Sequence, residues 1–275
     1  YDMSGELLFQ LNARGQGPGE YTDINAFAVN ASLHQLVIYD NMKQSLMFYS
    51  TEDGRFVKSE KFNKPTPAEI AYWGGYFFYH NRLHRNYQDD ISLHYYLLAS
   101  KDGITIGKRY FKHENNKEDY PFSPSGHNLY DNNSKLYYCR DFDNIVYQIH
   151  EDSVVPRFRI NLPNPLPASM IEERPNEMSL LRSGYSLGIT DIYEYGGLLF
   201  FRFVKDGYIW SCLYNVEESK QVYCAKRIKF LDSSLIDTID GIYKDCFYSI
   251  LTPEYLDYAF SENPLEDYPD LFKTY

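Results

Sequence analysis

Five carboxylates stand near the starts of separate strand-like runs: Asp23, Glu69, Asp191, Asp237 and Asp240. If those runs are the inner strands of a radial array, their leading residues meet at the mouth of a central channel. Converging carboxylates supply the hard oxygen ligands that a divalent cation such as Ca²⁺ takes. A cation held there can polarise a substrate for hydrolysis or elimination. The plainer reading is that each residue caps a turn, its carboxylate accepting hydrogen bonds from nearby backbone. That reading carries more weight, so no cofactor is expected, with a Ca²⁺-type ion as the alternative.

A second set of residues is cationic and aromatic. The run His80-Asn81-Arg82-Leu83-His84-Arg85 lies close to His94. Histidines four apart share a face only on a helix, and no Cys or Glu-x-x-His accompanies these, so a polar, basic loop is the simpler account. Arg82, His84 and Arg85 could receive an anionic group in an otherwise acidic chain. Trp73 and Tyr87, with Tyr120, Tyr185 and Trp210, offer flat apolar faces with polar tips, which suit a sugar or a peptide. No Gly-x-Ser-x-Gly elbow occurs, and no Ser/His/Asp or Cys/His set follows from spacing. The Gly-rich run Gly15–Glu20 lacks the Lys-Ser/Thr of a phosphate loop, and Pro18 removes a donor. It reads as a rigid turn, with Glu20 and Arg14 placed to pair across it.

Repeated strands are the elements that must position these groups. Residues 24–29, 35–39, 45–50 and 55–62 form one set of four, separated by turn-like residues such as Asp53-Gly54. Similar sets span 69–111, 126–162 and 191–230, and a fifth unit occupies 239–275. Residues 5–11 read as a lone outer strand. Four-stranded units of about 40–50 residues, repeated, mark a β-propeller. Each blade has two apolar faces, and radial stacking buries both. The expected fold is therefore all-β: a single six-bladed propeller domain over residues 1–275, of four-stranded antiparallel blades, incomplete at its ends. Residues 161–188 carry Pro163, Pro165, Pro167 and Pro175 and interrupt the pattern. They read as an inter-blade insertion with one or two short helices, begun by a Ser169–Glu172 capping box and by Asn176.

Composition narrows the partners. The chain has 275 residues and a formal net charge of −11, which disfavours nucleic acid. Aromatic residues make up 17% of it, with 28 tyrosines. Most of these belong at strand positions such as Phe48, Tyr96, Tyr137, Tyr147, Phe201 and Tyr214, where they would join blade to blade. No run approaches the ~18 apolar residues of a membrane span. The chain begins at Tyr1 and is expected to be a fragment or a processed form. None of its four cysteines forms a C-x-x-C pair. Cys212 and Cys224 flank a hairpin and could face each other, but free, half-buried thiols are the expectation.

The element Gly15-Gln16-Gly17-Pro18-Gly19-Glu20-Tyr21 follows the strand-like Gly5-Glu6-Leu7-Leu8-Phe9-Gln10-Leu11. Together with Val37-Ile38-Tyr39-Asp40, Asn144–Ile149 and Thr238-Ile239-Asp240-Gly241, it resembles the six-bladed, NHL-like β-propeller family abundant in Bacteroidetes. That resemblance implies a cell-envelope location, in the periplasm or as an outer-membrane lipoprotein, with any lipid anchor upstream of this chain. It also implies a binding role more often than a catalytic one. The expected function is a non-catalytic module that recognises a glycan, peptide or protein at one face of the channel. A metal-dependent hydrolase or lyase and a structural scaffold are the alternatives.

Overall fold

The computed structural model describes residues 7, 9–62, 66–81, 94–112, 123–124, 126–132, 134–173, 175–226, 239–254, 257 and 261. Four sheets have four strands each. They are β1 (Ile24–Asn30), β2 (Gln35–Asp40), β3 (Ser45–Ser50) and β4 (Phe56–Lys61); then β5 (Pro67–Trp73), β6 (Tyr76–Asn81), β7 (Tyr95–Ser100) and β8 (Lys108–Lys112). The third holds β9 (Leu129–Asn132), β10 (Lys135–Cys139), β11 (Ile145–Ile149) and β12 (Val154–Arg159). The fourth holds β13 (Ser186–Tyr195), β14 (Leu198–Lys205), β15 (Tyr208–Asn215) and β16 (Lys220–Ala225). A two-stranded sheet, β17 (Gly241–Tyr243) and β18 (Cys246–Tyr248), completes the described strands. Each sheet is an antiparallel meander in chain order. Two compact units result, one drawn from Tyr1–Pro121 with Ile149–Val155, the other from Phe122–Gln148 with Pro156–Tyr275.

The burial of each strand follows from its place in its sheet. In the first unit, β2 and β3 read Leu36-Val37-Ile38-Tyr39 and Leu46-Met47-Phe48-Tyr49, and both of their faces are covered. The outer strand β4 is instead exposed along most of its length and carries the charged residues Lys58, Glu60 and Lys61, which blunts an exposed edge. One face of the first sheet meets the second sheet through Val37, Tyr39, Phe48 and Phe62 against Ile70, Phe77, Tyr79 and Leu98. The Phe62 and Tyr79 rings lie 4.9 Å apart. In the second unit Tyr130 meets Tyr193 edge to face at 6.2 Å. Such pairs add about 0.5–1.5 kcal/mol beyond the area they bury. Phe48, Tyr137 and Phe201 thus join sheets as expected.

Side-chain amides seal the inner edges. Asn132 at the end of β9 accepts from Glu194 N at 2.6 Å and donates to Ile192 O at 3.2 Å, so it mimics a peptide against β13. Asn25 likewise donates to Pro67 O at 2.6 Å, from β1 to β5.

Several boundaries differ from the sequence expectation. The strand expected from Ile104 begins at Lys108, because the Asp102 carboxylate accepts from Ile104 N and Thr105 N and holds both residues in a turn. The insertion ends at residue 185, and β13 starts five residues ahead of Asp191. Helix α1 (Ala168–Glu172) follows Pro167 with no side-chain cap, so Ser169 forms no capping box. Asn176 does cap α2 (Glu177–Leu181), accepting from Ser179 N. Residues 9–13 are not paired in a sheet; Leu11 and Ala13 pack on Ile38, Met47 and Tyr49. Among the described residues no helix is long and apolar enough to cross a membrane.

The cysteine expectation is overturned. Cys212 and Cys224 are directly opposite in the β15–β16 register and are disulfide-bonded, while Cys139 is a buried thiol and Cys246 an exposed one. A bond closing a 12-residue separation should stabilise by about 3 kcal/mol, through the entropy it removes from the unfolded chain. Calorimetry of the Cys212→Ser/Cys224→Ser variant should therefore show a Tm several degrees lower. An unchanged Tm would mean that the bond is not formed in solution.

Candidate functional site

The Gly-rich run proves to be a packing device. Arg14 and Tyr21 form a parallel bridge, and Gly15 N donates to Tyr21 O at 2.8 Å. The Glu20 carboxylate turns back on its own loop and accepts from Gly17 N at 2.8 Å. The amide that a phosphate would need is therefore already used, and Glu20 pairs with backbone rather than with Arg14. A Cβ on Gly15 would run into that carboxylate. Gly19, at φ +77°, brings its backbone against the Phe56 ring, where a Cβ would lie 2.8 Å away. The Lys43 ammonium donates to Gly17 O and Glu20 O, and the Tyr49 hydroxyl donates to Gly19 O at 3.1 Å. Burial pushes the Tyr49 hydroxyl up to about 12, so it stays a neutral donor. Asp40, fully buried, accepts from Thr22 N, Thr22 Oγ1 and Lys43 N. Its burial opposes ionisation, but these hydrogen bonds outweigh that and hold its carboxyl below the usual range. The most distinctive stretch of the sequence thus fastens the first sheet together.

The channel-mouth candidates have separate fates. Asp191 is not at a strand start but is the sixth residue of β13; it is buried, and its Oδ2 lies 2.7 Å from Arg202 Nε. Gly188, where the sequence pattern ends the insertion, lies within β13, and register shifts absorb it. Asp240, just before β17, accepts from Ile250 N at 2.6 Å and from Ser249 Oγ, so it caps a turn. Asp23 is exposed ahead of β1, and Glu69 is half-buried on β5, opposite His80 in register. Asp237 lies outside the described residues. Among the described residues no group of three or more His, Cys, Asp or Glu could hold a metal ion.

Arg82, His84, Arg85 and Tyr87 lie outside the described residues. Trp73 ends β5 beside the Gly74-Gly75 turn. It stands four residues from Glu69, which at the rise of a strand is about 13 Å. His80 is not a loop residue: it lies in β6 and is buried.

Two ion-pair centres escaped the sequence reading. Arg202 interrupts the apolar run Leu198–Val204 of β14 and pairs with the buried Asp191. The other centre is Glu194, whose side chain is 10% exposed and lies 2.8 Å from Lys135 and 2.9 Å from Arg157. The Tyr137 hydroxyl also donates to its carboxylate. Burial alone would raise the Glu194 carboxyl, but the hydrogen bonds from Lys135, Tyr137 and Arg157 prevail and lower it.

Repeated four-stranded antiparallel meanders, packed face to face by aromatic rings within each unit, are the building blocks of the β-propeller class. The chain belongs to the family described as a domain of unknown function, DUF4934, whose model matches residues 1–273. No curated protein matches it. Among solved structures it is similar to a protein of Bacteroides fragilis described as exported, at TM-score 0.68 and 16% identity. That likeness covers 82% of this chain and 64% of the other, so the chain spans less than two thirds of that relative. A member of the DUF4221 family from Bacteroides vulgatus matches at TM-score 0.44 and 11% identity, over 76% of this chain and 68% of that one.

Proposed function

We propose that the protein is a non-catalytic recognition module: one six-bladed propeller, held in the cell envelope, that takes a glycan, peptide or protein partner at one face of its channel. The observation that carries this reading is how the candidate carboxylates are engaged. Asp191 neutralises Arg202, and Asp240 caps the backbone of residues 249–250. A carboxylate committed in this way does not contribute to the open cage of six to eight oxygens that Ca²⁺ takes. The disulfide supports an oxidising compartment, in keeping with the exported relative.

The test is a glycan and peptide array probed with the full chain, followed by titration of the best ligand. Affinity should be unchanged by a chelator and should fall about tenfold, about 1.4 kcal/mol, in Arg82→Ala/Arg85→Ala. A hydrolytic or lyase activity that needs a divalent cation and is lost in Asp23→Asn/Glu69→Gln would instead establish the enzyme reading.

A further inference from the structure

The fourth sheet carries an aromatic and cationic surface that the channel-mouth reading does not use. Tyr208 and Trp210 lie two apart on β15, so both rings stand on the same face. Trp210 stacks on Phe203 of β14 with ring centroids 6.3 Å apart and planes 11° from parallel, which fixes its orientation. Tyr208 is 54% exposed. The Lys226 ammonium, just past β16, sits 3.5 Å from the Tyr208 ring centroid and 5.6 Å from that of Trp210. The disulfide Cys212–Cys224 lies two residues along each strand and clamps β15 to β16 beside the ammonium. The surface is therefore rigid before any ligand arrives, and rigidity cuts the cost of binding.

Chemistry on this surface is incomplete in one direction. A cation over aromatic faces gains from the ring quadrupoles, yet its N–H groups still need acceptors. Among the described residues no carboxylate pairs with Lys226.

We infer that Tyr208, Trp210 and Lys226 form a binding site for a carboxylate-bearing sugar, a uronic acid unit of an acidic glycan. The carboxylate meets the ammonium, and the sugar ring packs against the part of Tyr208 that the ammonium leaves exposed. A peptide added to a sheet binds through a strand edge, whereas these rings project from the sheet face. A flat ring with one anionic group matches that geometry. The site uses none of the channel-mouth candidates.

Calorimetric titration with a galacturonic acid oligomer tests this, with a neutral galactose oligomer of equal length as control. The full chain should bind the acidic oligomer about tenfold more tightly, a preference that shrinks as salt screens the ammonium. Lys226→Gln should remove the preference, and Lys226→Arg should keep it. Tyr208→Ala should weaken both oligomers. Equal binding of the two oligomers, tighter binding of an oligo-glutamate peptide, or an unaltered preference in Lys226→Gln would each overturn the inference. Both positions are at the surface, and an unchanged Tm for the variants shows that the fold is intact.

Discussion

Glu194→Ala is expected to cost the fold about 2–4 kcal/mol, read as a lower midpoint in urea with an unchanged slope. The carboxylate answers Lys135, Arg157 and the Tyr137 hydroxyl together, and none of these has an equivalent acceptor once it is gone. Lys135 and Arg157 are 36% and 41% exposed and recover hydration, which keeps the cost below that of a wholly buried pair. Tyr137 is fully buried, and its stranded hydroxyl supplies about 1–3 kcal/mol of the total. Glu194→Gln separates the contributions. It keeps an oxygen for Tyr137 and loses the charge, so its cost should be roughly half. The pH dependence has a definite sign. The folded carboxyl ionises below the unfolded value of about 4.3. Its contribution is therefore present in full above that value and is lost as the pH falls through the folded one. The gap between wild type and Glu194→Gln should be constant from pH 6 to 8 and narrow below about 4.3. A gap that does not change down to pH 3 would mean that the charge contributes nothing.

How far the sequence reveals such features depends on whether a signal is local. The strands of the first sheet are legible to within a residue, because alternation and Asp-Gly turns act over a few positions. The Gly-x-Gly-Pro-Gly-Glu-Tyr turn is legible as a structural element for the same reason. Its partner Asp40 is not, since the carboxylate reaches Thr22 across 18 residues. The Cys212–Cys224 bond depends on register, which spacing alone leaves open, and the structure sets the two residues opposite each other. Pattern places the five carboxylates near strand starts. That placement holds for Asp23 and Asp240, which directly precede β1 and β17, and fails for Asp191. A strand that tolerates a glycine and two register shifts looks from its sequence like a loop followed by a shorter strand.

That glycine carries the other large effect. Gly188→Ala is expected to destabilise by about 3 kcal/mol. Gly188 has φ +98°, which an L side chain rarely adopts. A Cβ there would also lie 2.8 Å from Phe142 Cα and 3.0 Å from its N and C atoms. These are backbone atoms of the turn between β10 and β11, so no rotamer change relieves the contact. The turn is itself fixed: Asp143 accepts from Asn144 N and Ile145 N and pairs with Arg140 at 2.6 Å, and its carbonyl accepts from Ile189 N. Relief must come from moving the first residues of β13, which breaks that last bond. Gly196→Ala supplies the control. It too has positive φ, +57°, but a Cβ there meets nothing within 4 Å, so it should cost only about 1 kcal/mol. Chemical denaturation of the two variants side by side isolates the close approach, as their difference of about 2 kcal/mol. Equal costs would show that β13 shifts away from the turn freely. The register shifts around Gly188 would then be slack in the strand rather than the means by which the fourth sheet docks on the third.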